Sequence, residues 1–336
     1  MKRLLILLAT FAASFVALLA AGWEPDVLGE DFEMRSFDQG TDYGGPVYST
    51  LVRLRADTLD NRRRGVLYVH GFNDYFFQAD MARRFDRHGY EFYAVDLRRY
   101  GRSLRKGRKA FEVRSFDEYT ADIDSALAVM RAEGVREIVL MGHSTGGLTA
   151  SYYLSRHPQS DIRALVLNSP FLDWNLGRME CMVPLVSFVG SFWPSLRVPQ
   201  GMSQAYAESL LKDYHGEWEY DTDWKFMRSP DVDAGWVRAV DRAQRALRDG
   251  HADIKVPILL MYSARSTGGD TWNEDFNDAD AVLDPADIRR YGAGLGPHVT
   301  AVRVDGGLHD LVLSRSGVRE PLYRYIFAWL ARKLND

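Results

Sequence analysis

Short apolar runs alternate with amphipathic stretches through the first half of the chain. Four of these runs, partly β-branched, predict buried strands at 66–69, 91–95, 138–141 and 162–167. Apolar residues at helical spacing between them predict helices at 81–88, from a capping box at Ser115 to about Ala132, and at 148–156. A chain that alternates strand and helix in this way is expected to form a doubly wound, mostly parallel sheet.

Further strands extend this predicted sheet at both ends of the pattern. The segments 32–37 and 47–55 alternate polar and apolar residues around a glycine-containing turn region, so we expect an antiparallel pair at a sheet edge. Apolar runs at 256–262 and 299–304 predict two more strands of the core sheet. A terminal amphipathic helix is predicted over 320–334.

The pattern changes between Phe171 and Gly250. Short helical pieces alternate there with prolines at 184, 194, 199 and 230, and aromatic residues and methionines are frequent. Such side chains form adaptable apolar surfaces. We therefore predict that residues 171–250 form a cap inserted into a core of residues 23–170 and 251–336. Most of the cap's aromatic side chains are expected to pack within it and against the core.

The first 22 residues have the composition of a targeting segment. Lys2 and Arg3 precede an apolar run from Leu4 to Ala21, and small residues follow it. This predicts either a cleaved secretory signal peptide, which places the protein outside the cytoplasm, or an uncleaved membrane anchor of minimal length. The single cysteine, Cys181, excludes an intramolecular disulfide.

Charge and residue spacing exclude several classes of function. The formal net charge is −4 and the isoelectric point is about 6.1, which argues against nucleic-acid binding. No cluster of cysteine and histidine has metal-ligand spacing, so no metal and no cofactor are expected. The segment 98–109 carries seven basic residues. We expect a solvated loop with one or two arginines holding the turn, in preference to a surface for anionic headgroups.

The sequence G-x-S-x-G occurs at 142–146, between the predicted strand at 138–141 and the predicted helix at 148–156. In that setting the serine lies on a sharp turn that exposes its hydroxyl, and the flanking glycines avoid clashes of Cβ atoms. Ser144 is therefore the candidate nucleophile. The N–H of Thr145, at the start of the helix, is a candidate oxyanion donor.

Other parts of a hydrolytic site follow in chain order. His309 lies in a glycine-rich loop after the last strand and is the candidate base, because a serine hydroxyl needs a proton acceptor to attack. Phe72, after the strand that ends in His70-Gly71, is the second candidate oxyanion donor. His70 is expected to order its own loop, and His143 to pack within the serine turn. The acid is expected among the aspartates that follow the strand at 256–262.

The chain resembles the α/β-hydrolase superfamily, and within it the monoglyceride-lipase or lysophospholipase-like group with a serine-aminopeptidase-type cap. The resemblance runs from about Trp23 to the C-terminus and is carried by HGFNDYFF, DLRRYGRS, GHSTGG, DAVLDP and GGLHD. It implies an eight-stranded, mostly parallel sheet with a helical cap. It also implies that Asp280 is the triad acid and that Asp284 caps the next helix. Asp270 and Asp278 are the reserves, since residues 266–279 form an insertion relative to the group.

Three functions remain open from the sequence. The first is hydrolysis of a carboxylic ester, of a monoacylglycerol, a lysophospholipid or a short acyl ester, by Ser144, His309 and Asp280. The second is a peptidase or acyltransferase on the same scaffold, with Glu180, Glu208 or Glu217 binding a substrate amine. The third is a non-catalytic binding protein. Haloalkane and epoxide chemistry is disfavoured, since those enzymes carry an aspartate where this chain has Ser144.

Overall fold

A computed structural model describes residues 22–55, 64–158, 160–201, 203–248 and 252–335. The predicted signal peptide or anchor thus lies outside the described residues except for Gly22. Nine strands form one sheet in the order β1-β2-β3-β5-β4-β6-β7-β10-β11. Their bounds are β1 Glu24–Asp26, β2 Gly29–Asp42, β3 Gly45–Leu54, β4 Arg64–Val69, β5 Glu91–Asp96, β6 Glu137–His143, β7 Ile162–Asn168, β10 Ile258–Ser263 and β11 Val299–Val304. A separate short pair consists of β8 Arg197–Val198 and β9 Val232–Asp233.

Eight α-helices lie in the described part of the chain. They are α1 Ala79–Arg87, α2 Glu118–Ala132, α3 Thr145–Arg156, α4 Val183–Val189, α5 Ala205–Leu210, α6 Ala234–Leu247, α7 Pro285–Gly292 and α8 Ser316–Asn335. None of these helices is both long and apolar enough to cross a membrane. The predicted helices at 81–88, 115–132, 148–156 and 320–334 all exist, with ends that differ from the prediction by a few residues.

The sheet has the predicted direction of strands. The six strands from β5 to β11 pair in parallel, whereas β1, β2 and β3 pair antiparallel at one edge. The ninth strand is β1, which was not predicted because three residues that include Pro25 show no alternation. The fold class, a doubly wound α/β sheet, is confirmed.

Alternate residues of the central strands face opposite layers of the core. In β4, Leu67 and Val69 pack with α2 and α3 on one face, whereas Val66 and Tyr68 pack with α1 and α8 on the other. Parallel strands buried on both faces carry continuous apolar runs, as the sequence pattern indicated. The carboxyl ends of β4, β6 and β7 meet at one edge, where Val69 pairs with Gly142 and His143 with Asn168.

The basic segment 98–109 is only partly solvated. Arg102 is buried and binds Asp26 at 2.7 Å and Asp96 at 2.9 Å. Arg98 binds the buried Asp122 at 2.8 Å. These arginines hold the antiparallel edge and helix α2 against the loop after β5, in line with the expectation of a turn fixed by arginines. Further along the segment, the side chain of Arg105 is exposed.

Residues 171–248, which we call the insert, lie between the adjacent strands β7 and β10. Helix α6 of the insert packs on α3 and on α4. Trp236 and Val237 of α6 join the same core cluster as Leu148 of α3. The insert therefore shares an apolar core with the helix that follows the serine turn.

Candidate active site

Strand β6 and helix α3 meet in a sharp turn at Ser144. Its backbone has φ 52° and ψ −119°, a strained conformation for a residue with a side chain. The turn requires glycine on both sides, because a Cβ on Gly142 would lie 2.4 Å from the carbonyl oxygen of Gly146. A Cβ on Gly146 would lie 2.2 Å from the carbonyl oxygen of Val69. The predicted strand–turn–helix context of the motif is thus present.

His309 and Asp280 form a buried pair. The Nδ1 of His309 lies 2.9 Å from the Oδ2 of Asp280, and both residues are almost fully buried. The other oxygen of Asp280 accepts hydrogen bonds from the N–H groups of Val282 and Leu283, each at 2.8 Å. Since Nδ1 is engaged, Nε2 is the ring nitrogen left for a reacting group.

The other candidate acids take no part in this pair. Asp278 is exposed and binds Arg265. Asp270 lines the cavity that also contains Ser144, and its backbone carbonyl accepts from the hydroxyl of Ser203. Asp284 accepts from the N–H of Ala286 at the start of α7, so its predicted capping role is confirmed.

The two candidate oxyanion donors flank the serine. Thr145 is the first residue of α3, where N–H groups have no intrahelical partner. The loop that carries Phe72 lies against the serine turn, since a Cβ on Gly71 would be 3.2 Å from the Cβ of Ser144. His70 orders this loop as expected: its Nδ1 donates to the carbonyl of Gly71 and its Nε2 accepts from the N–H of Leu97.

A buried polar network that the sequence did not indicate connects the serine turn with the histidine loop. Asn168, at the end of β7, donates to Asp310 at 2.6 Å and accepts from the N–H of Leu311 at 3.1 Å. The Nδ1 of His143 donates to the carbonyl oxygen of Asn168 at 3.1 Å. Single buried polar residues at the ends of strands have no sequence signature, which is why this network was missed.

His143 does more than pack within the turn. Its ring centroid lies 4.8 Å from that of His309, and its Nε2 lies 4.0 Å from a carboxylate oxygen of Asp310. Burial lowers the pKa of His143, and the carboxylate of Asp310 opposes that shift only in part. Burial therefore favours the neutral form of the His143 ring.

Asp74, His143 and Asp310 have ligand types suited to a metal ion, with one such atom of each within 4.8 Å of the others. A cationic group already lies in this cluster, because the ammonium of Lys225 binds Asp74 at 2.9 Å. The ammonium of Lys225 thus supplies a positive charge to this cluster.

Ser144 and His309 line one cavity of about 420 Å³ between the core and the insert. Its apolar wall includes aromatic side chains of the insert, among them Phe171, Trp174 and Trp236. Phe72 and Thr145 line the same cavity. The structure therefore brings together the candidate nucleophile, base and oxyanion donors at one surface, with the acid directly behind the base. A volume of this size is typical of small-molecule sites.

Comparison with known proteins identifies the family. The chain matches the family described as serine aminopeptidase, S33, over residues 60–315, about three quarters of its length. The chain belongs to the serine aminopeptidase S33 family. This S33 protein is accordingly an enzyme of the α/β-hydrolase superfamily, as its motifs predicted.

Similar proteins support the same fold. The S33 protein is 24% identical to phospholipase YtpA of Bacillus subtilis over 251 residues, 74% of this chain and 88% of that one. It superposes on a soluble variant of monoglyceride lipase from Saccharomyces cerevisiae with a TM-score of 0.66 at 17% identity, covering 93% of this chain and 99% of the other. For monoacylglycerol lipase of Paleococcus ferrophilus the TM-score is 0.60 at 20% identity, with 90% and 99% covered.

Proposed function

We propose that the protein is a serine hydrolase that cleaves carboxylic esters through Ser144, His309 and Asp280. The observation that carries this proposal is the strained Ser144 on the same cavity as His309, whose Nδ1 is held by the buried Asp280. This is the arrangement that nucleophilic acyl transfer needs, in which a base activates the serine and a carboxylate orients the base.

The reaction proceeds in two halves. The Oγ of Ser144 attacks the ester carbonyl while Nε2 of His309 takes its proton, and the N–H groups of Phe72 and Thr145 hold the developing oxyanion. Collapse of the tetrahedral intermediate breaks the bond to the alcohol, which receives the proton from His309. Water, activated by the same imidazole, then releases the acid from the acyl-enzyme. Asp280 stabilises the imidazolium in both halves.

For the substrate we propose a monoacylglycerol, a lysophospholipid or a short acyl ester, with the insert acting as a cap over the acyl group. The apolar wall of the cavity supports an acyl chain, and the names of the similar phospholipase and monoglyceride lipases agree with it. The peptidase alternative is less well supported. Glu180, Glu208 and Glu217 are absent from the described lining of the cavity, and Glu217 binds Arg319.

A fluorophosphonate probe tests the proposal, with wild type compared with Ser144→Ala and with Ser151→Ala. Ser151 lies on the same helix, but its hydroxyl donates to the carbonyl of Gly147. We expect the probe to label wild type and Ser151→Ala but not Ser144→Ala. We also expect wild type to hydrolyse p-nitrophenyl esters, and the acyl-chain length that is cleaved fastest will indicate how long an acyl chain the cavity accepts. Turnover of aminoacyl-naphthylamides without ester turnover would favour the peptidase. Absence of labelling in folded protein would favour a binding protein.

We further propose that the protein works outside the cytoplasm or anchored to a membrane, with the insert facing lipid. Residues 4–21 are apolar except for Thr10 and Ser14, and the insert exposes more than half of each of six large apolar side chains, which we call the patch; exposed apolar surface often marks an interaction site. These are Met179, Leu185, Phe188, Phe192, Trp193 and Leu196. Leu176, at the start of this stretch, also lines the cavity.

Sedimentation with phospholipid vesicles tests the location of the lipid-binding surface. We compare the full chain with a chain that starts at residue 23, and we introduce Trp193→Ser or Tyr214→Ser into the shorter chain. Tyr214→Ser is the control, because Tyr214 also belongs to the insert and is also exposed. Loss of vesicle binding in Trp193→Ser but not Tyr214→Ser is expected. Equal binding by both variants, or concentration-dependent dimers in place of vesicle binding, would refute the role of the patch.

A further inference from the structure

Three consecutive residues of the loop that follows Phe72 each bind one segment of the insert. The residues are Asn73, Asp74 and Tyr75, and the segment, which we call the strap, is 221–229. The strap has no helix or strand of its own. Because Phe72 is the proposed oxyanion donor, these contacts attach the insert to the oxyanion hole.

Asn73 binds the backbone of the strap in both directions. Its amide nitrogen donates to the carbonyl of Phe226 at 2.8 Å, and its amide oxygen accepts from the N–H of Phe226 at 2.9 Å. The same nitrogen lies 3.2 Å from the hydroxyl of Ser229. Asn73 has φ 48°, the left-handed region that asparagine tolerates better than most residues. The residue directly after Phe72 is therefore fixed by the insert in an uncommon conformation.

Asp74 forms a buried ion pair with the strap. Lys225 donates from Nζ to Oδ1 of Asp74 at 2.9 Å, and the side chains are only 10% and 2% exposed. Burial acts to raise the pKa of Asp74, but the ammonium of Lys225 is the main opposing cause, and the pKa lies below its ordinary value. The second oxygen of Asp74 is buried and has no hydrogen-bond partner among the described residues. Lys225 is thus the cation that keeps the buried carboxylate of Asp74 ionised.

Tyr75 completes the series. Its hydroxyl accepts from the N–H of Asp221 at 2.8 Å, and its ring packs edge-on against Trp224 at 5.1 Å. A different ion pair between core and insert joins Lys109 and Asp233, and its lysine is half exposed. The insert also packs on Phe72 itself, since the ring of Trp236 lies 4.8 Å from that of Phe72. Among the described residues, however, the hydrogen bonds from the insert to Asn73, Asp74 and Tyr75 all come from the strap.

We propose that the strap is a positioning element of the oxyanion hole, with Lys225 as its principal positioning residue. The inference rests on the proposed function, since it assigns a role to the Phe72 N–H in acyl transfer. Through Asp74 and Asn73 the strap sets where that N–H points, so the hole is competent only while the insert is seated on the core. Lys225 also lines the cavity, but because its ammonium is bound to Asp74, its proposed action on the transition state runs through the loop.

The test compares Lys225→Met, Lys225→Arg and Lys109→Met in the full chain. Lys225→Met is expected to lower kcat for p-nitrophenyl esters about 10- to 100-fold with KM within about twofold, because a misplaced donor weakens only the transition state. The inhibition constant of an alkyl boronic acid, whose tetrahedral adduct fills the oxyanion hole, should rise by a similar factor. Lys225→Arg should restore most of kcat, and Lys109→Met should match wild type. A raised KM with unchanged kcat would overturn the proposal.

Hydrogen–deuterium exchange separates this proposal from the proposed function. Peptides that cover residues 70–78 should exchange faster in Lys225→Met than in Lys109→Met, whether or not wild type cleaves esters. Equal exchange in the two variants would refute the attachment itself. Inactive wild type with faster exchange would refute ester hydrolysis and leave the attachment standing. If Lys225→Met does not fold, Tyr75→Phe replaces it, because this change removes only the hydroxyl acceptor. Tyr75→Phe is expected to lower kcat and to speed exchange in the same way, on a smaller scale. If kcat and exchange in Tyr75→Phe were the same as in wild type, the proposal would be overturned.

Discussion

Replacement of Asp280 by asparagine is the most informative single change, because the structure fixes how the new side chain would sit. The N–H groups of Val282 and Leu283 both donate to Oδ1. They therefore require an acceptor there and place the asparagine carbonyl at that position. The asparagine NH₂ group then takes the place of Oδ2, 2.9 Å from Nδ1 of His309.

A donor at that position reverses the proton arrangement of the imidazole. Nδ1 must accept, so the proton moves to Nε2, and Nε2 is then unable to take the proton of Ser144. We expect kcat to fall by about 10³- to 10⁴-fold, which corresponds to about 4–5.5 kcal/mol of barrier. The shape of the side chain is conserved, so KM should change little.

The assay is steady-state hydrolysis of a p-nitrophenyl ester, with a thermal melt to show that the variant folds. Asp278→Asn is the matched control, because Asp278 is two residues away, exposed and bound to Arg265. It should keep wild-type kcat. If Asp280→Asn retained more than about a tenth of wild-type kcat while folded, the assignment of the acid would be wrong.

Three further outcomes follow from the buried polar groups. Arg102→Met should lower the free energy of unfolding by about 3–5 kcal/mol, since it leaves two buried carboxylates unpaired, whereas Arg105→Met should change it by less than about 0.5 kcal/mol; urea denaturation measures both. Asn168→Ala should cost about 2–4 kcal/mol and also lower kcat, because the loop of His309 loses two hydrogen bonds; unchanged kcat would contradict this. Asp74 has a folded pKa below its ordinary value of 3.8, so its stabilisation is present above that pH and is lost as the pH falls through the folded pKa. The difference in stability between wild type and Asp74→Asn should therefore stay constant above about pH 5 and narrow as the pH falls further, and a difference that does not narrow at low pH would refute the role of this charge.

Local patterns were sufficient for much of the core. Runs such as 138–141 are apolar on both faces, which occurs in parallel strands covered on both sides, and the helices between them show clear periodicity. The elbow at Ser144 was found because its motif lies within five consecutive residues and the close contact of Gly142 is with Gly146, although the contact that requires Gly146 comes from Val69 on another strand. Strand β1 was missed because three residues carry no periodic signal.

The candidate acid needed a resemblance, since no local rule distinguishes one aspartate of a loop from another. Asp278 and Asp280 are two residues apart, yet one is exposed and the other fully buried behind His309. The difference arises from how the whole loop folds over the end of β10. The catalytic roles of Ser144, His309 and Asp280 stay predictions until the labelling and kinetic experiments are done.

The alternation of strand and helix, the doubly wound sheet, the serine motif and the late histidine could all be predicted from the chain alone, because each is marked by neighbours along the chain. Which buried polar groups meet could be seen only in the folded protein. Asp74 and Lys225 are 151 residues apart, and Asn168 and Asp310 are 142 apart. Burial makes such groups depend on a partner for their charge or hydrogen bonds, but the partner is chosen by the packing of the insert and the loops, which no local pattern of residues specifies.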